Sequence, residues 1–567
     1  MATQSEEHAA SPPTGDEEDP TTLSLDEADA ELEPDDGSAT GERMAVVLLF
    51  LLALAVGTAI RFWNLGGPTL WVDEANAYLT AKESLPTILS RLETDSSPPL
   101  YYFLLHNWSA LFGSSEVALR SLSVIFGVAT IALVFFLART VFSSRVAVWA
   151  SFIVATSPVH ILYSQQVRMY SLLPLLATAS VFLLVRSAQT YRKGYLAAYV
   201  VVTALALYTH NFALWLLPAH LVLLLWRGDL WKRPVPWLVA FAAVALAYAP
   251  WIPTLSRQVA NPDHYAWFAE FWNAWGTFVP VLFTLDSFSP AGAHLGFTSL
   301  EPRAHYGIIP LTFAALALLG LWRNFRTKGG LRSLEAAWVP VLLFVPALCA
   351  LAFSALSTPN YVPGRVDQML FPAFAILVAL GLCALPFQPL RVVLGLGLCV
   401  IGLVRAGVLH PSYGSRWLDG NDRDLARAIS EEVGPDDVVV FTSLTRAPVE
   451  YYLEREGKSP RMLSYPRDSA NHLGSQNDWR LMKSPQYMVE EARQVVGELQ
   501  ATRSAGGKAF VLMAYHPVNL PLVYTIEQSL DTDEDDRAGD FKQSGTNSIT
   551  HLYRFEPEVP AAEEGEG

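Results

Sequence analysis

The sequence predicts a mostly α-helical, polytopic membrane protein with a small α/β domain at its C-terminal end. Three observations carry this. Of 567 residues, 51% are hydrophobic and 12% aromatic while only 16% are charged, and the mean hydropathy is +0.27. Apolar runs recur from residue 44 to about 408, each near the roughly 17 to 25 residues that a bilayer requires of a helix. After Pro411 the pattern changes to short apolar stretches between turn residues, as in a soluble α/β unit.

Residues 1–42 hold fourteen Asp or Glu and no Lys or Arg, so the formal charge of −15 belongs mainly to this tail. Its Pro, Gly, Ser and Thr content leaves too few large apolar side chains to offset the entropy of ordering, and disorder is expected across 1–43. No basic stretch and early apolar run precede Met44, so the first span is expected to be a retained anchor rather than a signal peptide. Nucleic acid is not an expected partner. Cys349, Cys383 and Cys399 each lie inside an apolar segment without metal-ligand spacing, and neither a disulfide framework nor a zinc site follows from them.

Eleven spans are expected, at about 44–62, 117–138, 146–164, 167–186, 195–210, 212–226, 236–255, 306–322, 335–355, 367–385 and 390–408. The division between the short fifth and sixth is open. With a cytoplasmic N-terminus, the even connections hold Arg139 and Arg145, then Arg186, Arg192 and Lys193, then Arg227, Lys232 and Arg233, then Arg323, Arg326, Lys328 and Arg332, then Arg391. Such basic short loops are what the positive-inside rule asks. The long segments 63–116 and 256–305, with everything after 409, then fall outside the cytoplasm. In the first of these, helical periodicity from Glu74 to Leu92 and the aromatic run after Pro98-Pro99 predict helices along the membrane surface. The region 410–567 is expected to give a helix capped at Asn421 or Asp422 and running to Val433, a strand over 438–442, and a helix near 447–455. Strands over 510–515 and near 551–555 follow, before a disordered acidic end.

No Gly-x-Gly-x-x-Gly turn, P-loop lysine or His-Glu-x-x-His helix occurs, which removes the usual nucleotide cradle and metalloprotease readings. What remains is a set of polar residues at the outer ends of spans. They are Trp71-Val72-Asp73-Glu74, then Tyr163-Ser164-Gln165-Gln166-Val167-Arg168-Met169-Tyr170, then Tyr208-Thr209-His210-Asn211, and finally Gly364-Arg365-Val366-Asp367. Carboxylates beside a bilayer are costly and therefore a functional hypothesis by default. Arginine forks match phosphate oxygens, and a carboxylate can take a proton from an attacking hydroxyl. A phosphate-linked sugar leaves as an anion, so a cationic clamp can replace the second carboxyl that glycoside hydrolysis needs.

The ordered series Trp71 to Glu74, Ser97-Pro98-Pro99-Leu100-Tyr101-Tyr102, Glu116-Val117-Ala118-Leu119-Arg120-Ser121-Leu122-Ser123 and 163–170 resembles the bacterial and archaeal relatives of protein O-mannosyltransferases and aminoarabinose transferases. That resemblance, over about 44–409, implies a GT-C fold and a polyprenyl-phosphate-sugar donor. It further implies Asp73 as the catalytic or site-organising carboxylate with Glu74 beside it, and Arg168 as the arginine after the third span. The late motif of that superfamily usually has an Arg-Tyr pair, whereas here Val366 follows Arg365.

The expected activity is inverting transfer of a sugar from a polyprenyl phosphate to an acceptor outside the cytoplasm, in the plasma membrane. Asp73 is the expected base and Glu74 its support. Arg168, Tyr170, Gln166, His210, Asn211 and Arg365 are the candidates for binding the donor. A divalent metal is possible in relatives, and the spacing here leaves it open.

Each residue has a structural alternative: Asp73 as the cap of the following helix, Arg168 as an interfacial anchor, and His210 as a helix–helix bridge. Gln165 and Gln166 are alternatives for satisfying a broken backbone, and Asp367 is an alternative partner for Arg365. His106, His160 and His264 read as structural, and Trp267, Trp272 and Trp275 as interfacial anchors or sugar platforms. A lipid-linked glycan flippase is the first rival, but it calls for polar groups near the midplane rather than at one rim. A non-catalytic envelope assembly protein is the second.

Overall fold

The computed structural model describes residues 36–95, 97–260, 272, 279–289, 308–327, 334–357, 359–407, 421–442, 445–467, 484–514, 519–530, 536–542 and 549–557. The acidic tail before 36, most of the 256–305 segment with His264, Trp267 and Trp275, and the acidic end lie outside them. The chain divides into two units, Met1–Leu49 and Phe50–Gly567, with the helix Asp36–Phe62 running through the boundary.

Among the described residues, eight helices are long and apolar enough to cross a membrane: Thr40–Phe62, Glu116–Val141, Leu172–Thr190, Pro234–Ala260, Ile308–Arg326, Ala337–Leu356, Val366–Ala384 and Gln388–Arg405. The expected third span is a pair, Ser144–Thr156 and Pro158–Ser164, bent by 61°, and the fifth and sixth are the shorter apolar helices Lys193–Leu207 and Asn211–Arg227. Length and apolarity therefore account for eight spans among the described residues, or nine with the bent pair, and the expected count of eleven is not established. Residues 167–171, expected to open the fourth span, form a non-helical connection instead.

One helix is central. The window within Val366–Ala384 is 94% buried, against 22% for Thr40–Phe62 and Gln388–Arg405, so its apolar all-round sequence packs on protein while those of the others face outward. It approaches Ile308–Thr327 so closely that a Cβ on Gly381 would lie 1.9 Å from the Leu316 carbonyl oxygen, and one on Gly320 would lie 2.2 Å from that of Leu377. Small residues at such a crossing let two backbones meet without intervening side chains.

The first long connection folds as the helices Val72–Ala81, Leu85–Thr94 and Leu100–Phe112. Ser84 ends the first periodic run and caps the second helix by accepting from Thr87 N at 3.4 Å. The C-terminal α/β unit contains strands β1 (Val438–Thr442), β2 (Arg461–Tyr465), β3 (Ala509–Ala514), β4 (Arg537–Lys542) and β5 (Ile549–Phe555). Their order is β2-β1-β3-β5-β4, with β1 parallel to β2 and β3, and β5 antiparallel to β3 and β4. The helix Asp422–Ser430 stops three residues short of its expected end at Val433.

Crossover helices Arg446–Arg455 and Pro485–Ser504 connect the parallel strands, and the core gathers Val438, Val440, Tyr465, Ala492, Val495 and Leu499. This unit docks on the first connection. Tyr452 Oη accepts from Leu70 N at 2.9 Å, Tyr451 Oη donates to the Ser114 carbonyl at 2.7 Å, and Lys82 pairs with Glu454.

Candidate active site

Asp73 and Glu74 occupy the second and third positions of the Val72–Ala81 helix, where carboxylates complement the exposed N–H groups of a first turn. Their side chains diverge, as adjacent helical residues must. Glu74 is fully buried. It takes a bidentate fork from Arg120, with Nε to Oε1 at 2.8 Å and Nη2 to Oε2 at 2.7 Å. It also accepts from Val167 N at 2.9 Å and from Trp71 N at 3.4 Å. Arg120 in turn donates to the carbonyls of Leu65, Pro68 and Thr69. Thus Glu74, rather than Asp73, supplies the cap and ties three chain segments together.

Asp73 points elsewhere. Its Oδ2 lies 2.5 Å from Arg365 Nη2, across 292 residues of sequence, and the two side chains are 14% and 20% exposed. Gly364 precedes that arginine at φ +73°, a left-handed turn that favours glycine. Arg365 Nε donates to Tyr170 Oη at 2.7 Å, and its guanidinium carbon stands 5.2 Å from the Tyr170 ring centre. Arg168 lies 5.7 Å from the same ring centre and donates to the Asp73 carbonyl at 3.5 Å. Tyr170 thus stands beside both guanidiniums, a favourable cation–π arrangement.

Burial works against charge at both arginines. For Arg365 it is outweighed by Tyr170 and Asp73, and for Arg168 by Tyr102 and Asp73, so both guanidiniums are held charged above their ordinary range. Arg168 is only 7% exposed, its Nε has no hydrogen-bond partner, and among the described residues it forms no ion pair. Asp95, not singled out by the sequence, accepts from Tyr102 Oη at 3.2 Å and adds to the field on Arg168.

The connection carrying Arg168 and Tyr170 is shaped by a break. Pro158 lacks the N–H that would meet the Val154 carbonyl, and the chain bends there. Arg61, buried one residue before the end of the first span, fills the gap: it donates to the carbonyls of Val154 at 3.1 Å, Ala155 at 3.0 Å and Gly57 at 2.9 Å. Its remaining contacts are Ser164 Oγ at 3.1 Å and His160 Nδ1 at 2.8 Å. Gln165 Nε2 donates to the carbonyls of Arg61 and Trp63, and Ser123 Oγ to that of Arg168. Arg61→Leu is expected to destabilise the protein, because each buried carbonyl left unsatisfied costs about 1–3 kcal/mol. A lower unfolding temperature in detergent is the check, and an unchanged one counts against this clamp.

The other candidates divide. His210 Nδ1 accepts from Phe212 N at 3.0 Å, so the imidazole is neutral with its proton on Nε2, and its ring centre is 5.8 Å from that of Tyr170. Asn211 Nδ2 donates to Gln258 Oε1 at 3.3 Å. Gln166 is buried, with its Oε1 unbonded among the described residues. Asp367 does not take Arg365; it accepts from Thr284 Oγ1 at 2.7 Å and Tyr361 Oη at 3.3 Å. His106 and His160 meet a backbone carbonyl and Arg61 respectively. The described residues contain no group of three or more His, Cys, Asp or Glu positioned for a metal ion.

A family model described as dolichyl-phosphate-mannose-protein mannosyltransferase matches residues 96–253. Among solved structures, ArnT from Cupriavidus metallidurans in the apo state aligns with a TM-score of 0.57 at 16% identity, over 91% of this chain and 98% of that one. The same protein bound to undecaprenyl phosphate gives 0.56 at 15% identity, over 88% and 97%. An Archaeoglobus fulgidus oligosaccharyltransferase tethered with an acceptor peptide gives 0.51 at 15% identity, over 89% and 74%. No curated protein matches by sequence. The chain has the GT-C fold, with the likeness to mannosyltransferases and ArnT that its motifs led us to expect.

Proposed function

We propose that this GT-C-fold protein is an integral membrane glycosyltransferase that moves a sugar from a polyprenyl phosphate to an extracytoplasmic acceptor, with inversion. The observation that carries this reading is Arg168: a buried, charged guanidinium without an ion pair among the described residues, next to an Arg365–Asp73 pair that a phosphate can open. The ArnT structure with undecaprenyl phosphate supports the donor class.

In this reading the donor phosphate takes Arg168 and Arg365 as bidentate partners, and Nε2–H of the neutral His210 adds a hydrogen bond without charge. Arg365 thereby lets go of Asp73. The freed carboxylate accepts the proton of the acceptor hydroxyl as its oxygen attacks the anomeric carbon. The bond from that carbon to the phosphate oxygen breaks, its electron pair stays on the phosphate, and the two arginines meet the charge where it develops. One displacement inverts the anomeric centre. Glu74 and Arg120 act as positioning residues behind Asp73 and Val167.

Residues 1–43 are assigned to the cytoplasm, 44–409 to the membrane catalytic domain and 410–567 to an extracytoplasmic domain. The plasma membrane is the assigned location. The positive-inside pattern of the short loops supports this orientation.

The test is incubation of purified protein with a radiolabelled polyprenyl-phosphate sugar and candidate hydroxyl acceptors. Release of polyprenyl phosphate with a labelled, inverted product is expected. An intact donor recovered on the opposite face of a vesicle would point to a flippase instead, and an untouched donor to a binding protein.

A further inference from the structure

A polar cavity of about 360 Å³ opens at the seam where the α/β unit meets the first connection. Three arginines line it, Arg423, Arg427 and Arg455, against two carboxylates, Glu116 and Glu456. The carboxylates are already engaged. Glu116 holds Arg423 at 2.8 Å and pairs with Arg455, while Glu456 accepts from Ser430 Oγ. Arg427 is exposed and, among the described residues, has no ion pair.

Arg423 and Arg427 stand four residues apart on the Asp422–Ser430 helix, hence on one face. Like charges at that spacing destabilise a helix, and of these two only Arg423 has an ion-pair partner among the described residues, Glu116. The third arginine comes from the other side, on Arg446–Arg455. The result is a cationic cradle with one charge uncompensated, in a cavity of the size that small ligands occupy, about 300–1,000 Å³. It is separate from the Asp73 cluster but shares its supports: Arg423 donates to the Gly66 carbonyl at 3.3 Å, and Arg120 to those of Leu65 and Pro68 on either side.

We infer that this seam cavity binds a phosphate ester, with Arg427 and Arg423 forking its oxygens and Arg455 closing the third side. Planar guanidiniums favour phosphate because they donate in pairs. The group is either a soluble sugar phosphate or the headgroup of an anionic lipid or glycolipid. This inference does not depend on the transfer reading.

The experiment uses the full-length protein in nanodiscs of phosphatidylcholine, titrated with glucose 6-phosphate while the unfolding temperature is followed. Discs containing phosphatidic acid form the second arm. A stabilising shift in the first arm identifies a soluble ester, and one confined to the second identifies a headgroup. Because phosphate also suits Arg168 and Arg365, the assignment rests on R427Q, an exposed change outside the seam's ion pairs. R427Q is expected to weaken the response roughly tenfold or more, as losing a charged hydrogen-bond partner should. An undiminished response in R427Q, no response in either arm, or an equal response to glucose and sulfate overturns the inference.

Discussion

Asp73→Asn is expected to lower the rate of sugar transfer by about 10²–10⁴-fold, the usual contribution of a positioned general base. At the same time it should leave the affinity for polyprenyl phosphate unchanged or raise it. The two halves have a common cause. Asp73 holds Arg365 at 2.5 Å in a largely buried setting, so an arriving phosphate competes with that carboxylate for the guanidinium. Asparagine has nearly the same shape but no charge, and it removes the competitor together with the base. A residue that merely anchored Arg365 would behave differently: its loss would leave the arginine misplaced, and phosphate affinity would fall with activity.

Rate and affinity should therefore be measured on the same preparation, product formation by chromatography and polyprenyl phosphate binding by calorimetry. Activity within tenfold of wild type, or an affinity that falls in step with the rate, would sink the proposed role. Asp73→Glu retains a carboxylate at the wrong reach and is expected to recover only part of the rate.

The motifs that point to Asp73, Arg168 and Tyr170 are legible in the sequence because each joins a charge to an aromatic residue at the end of an apolar run, whereas Arg365 lacks the aromatic partner and is legible only as a cation beside such a run. Their meeting is not. Arg365 reaches Asp73 across 292 residues, and neither hydropathy nor local spacing encodes that closure.

Arg120 stands inside one of the quoted motifs, yet its partner lies 46 residues away, so it reads as one more basic residue near a helix start. Arg61 is harder still, since a cation near the end of a span looks like an interfacial anchor. Its function depends on carbonyls freed by Pro158 in a different helix. Asn211 follows His210, the N-cap of the 3₁₀ turn Asn211–Trp215, and its side-chain bond to Gln258 across 47 residues is as invisible to local spacing as the others.

The fold follows the same division. The buried strand β1 has a continuous Val-Val-Val-Phe run and appears at its expected limits. The edge strands β2 and β4, Arg461–Tyr465 and Arg537–Lys542, carry charged residues and no clean alternation. Edge positions tolerate such residues and use them against unwanted pairing, so hydrophobic periodicity passes over them.

Glu74→Gln is expected to be the most damaging single change to stability. The carboxylate is inaccessible, Arg120 is 1% exposed, and the pair is bidentate. Removing one partner of a buried pair costs about 3–5 kcal/mol, chiefly because the other charge remains without compensation. Here Arg120 would keep the carbonyls of Leu65, Pro68 and Thr69 and at most the one oxygen of the new amide. That single oxygen cannot also serve both Val167 N and Trp71 N, and the amide N–H groups face these donors, so the hold on the segments bearing Arg168 and Asp73 is weakened. Glu74→Gln should therefore unfold at a markedly lower temperature. Whatever folds should bind polyprenyl phosphate less well, in contrast to Asp73→Asn.

The double change Glu74→Gln with Arg120→Met separates charge from shape. It removes both ions, and a pair replaced by apolar volume is often no less stable than the original. The double variant is expected to regain much of the unfolding temperature lost by Glu74→Gln alone but little of the transfer activity, because neither segment recovers its anchor. Should Glu74→Gln melt with the wild type, or should the double variant be the worse of the two, the carboxylate is not the tie that holds these segments.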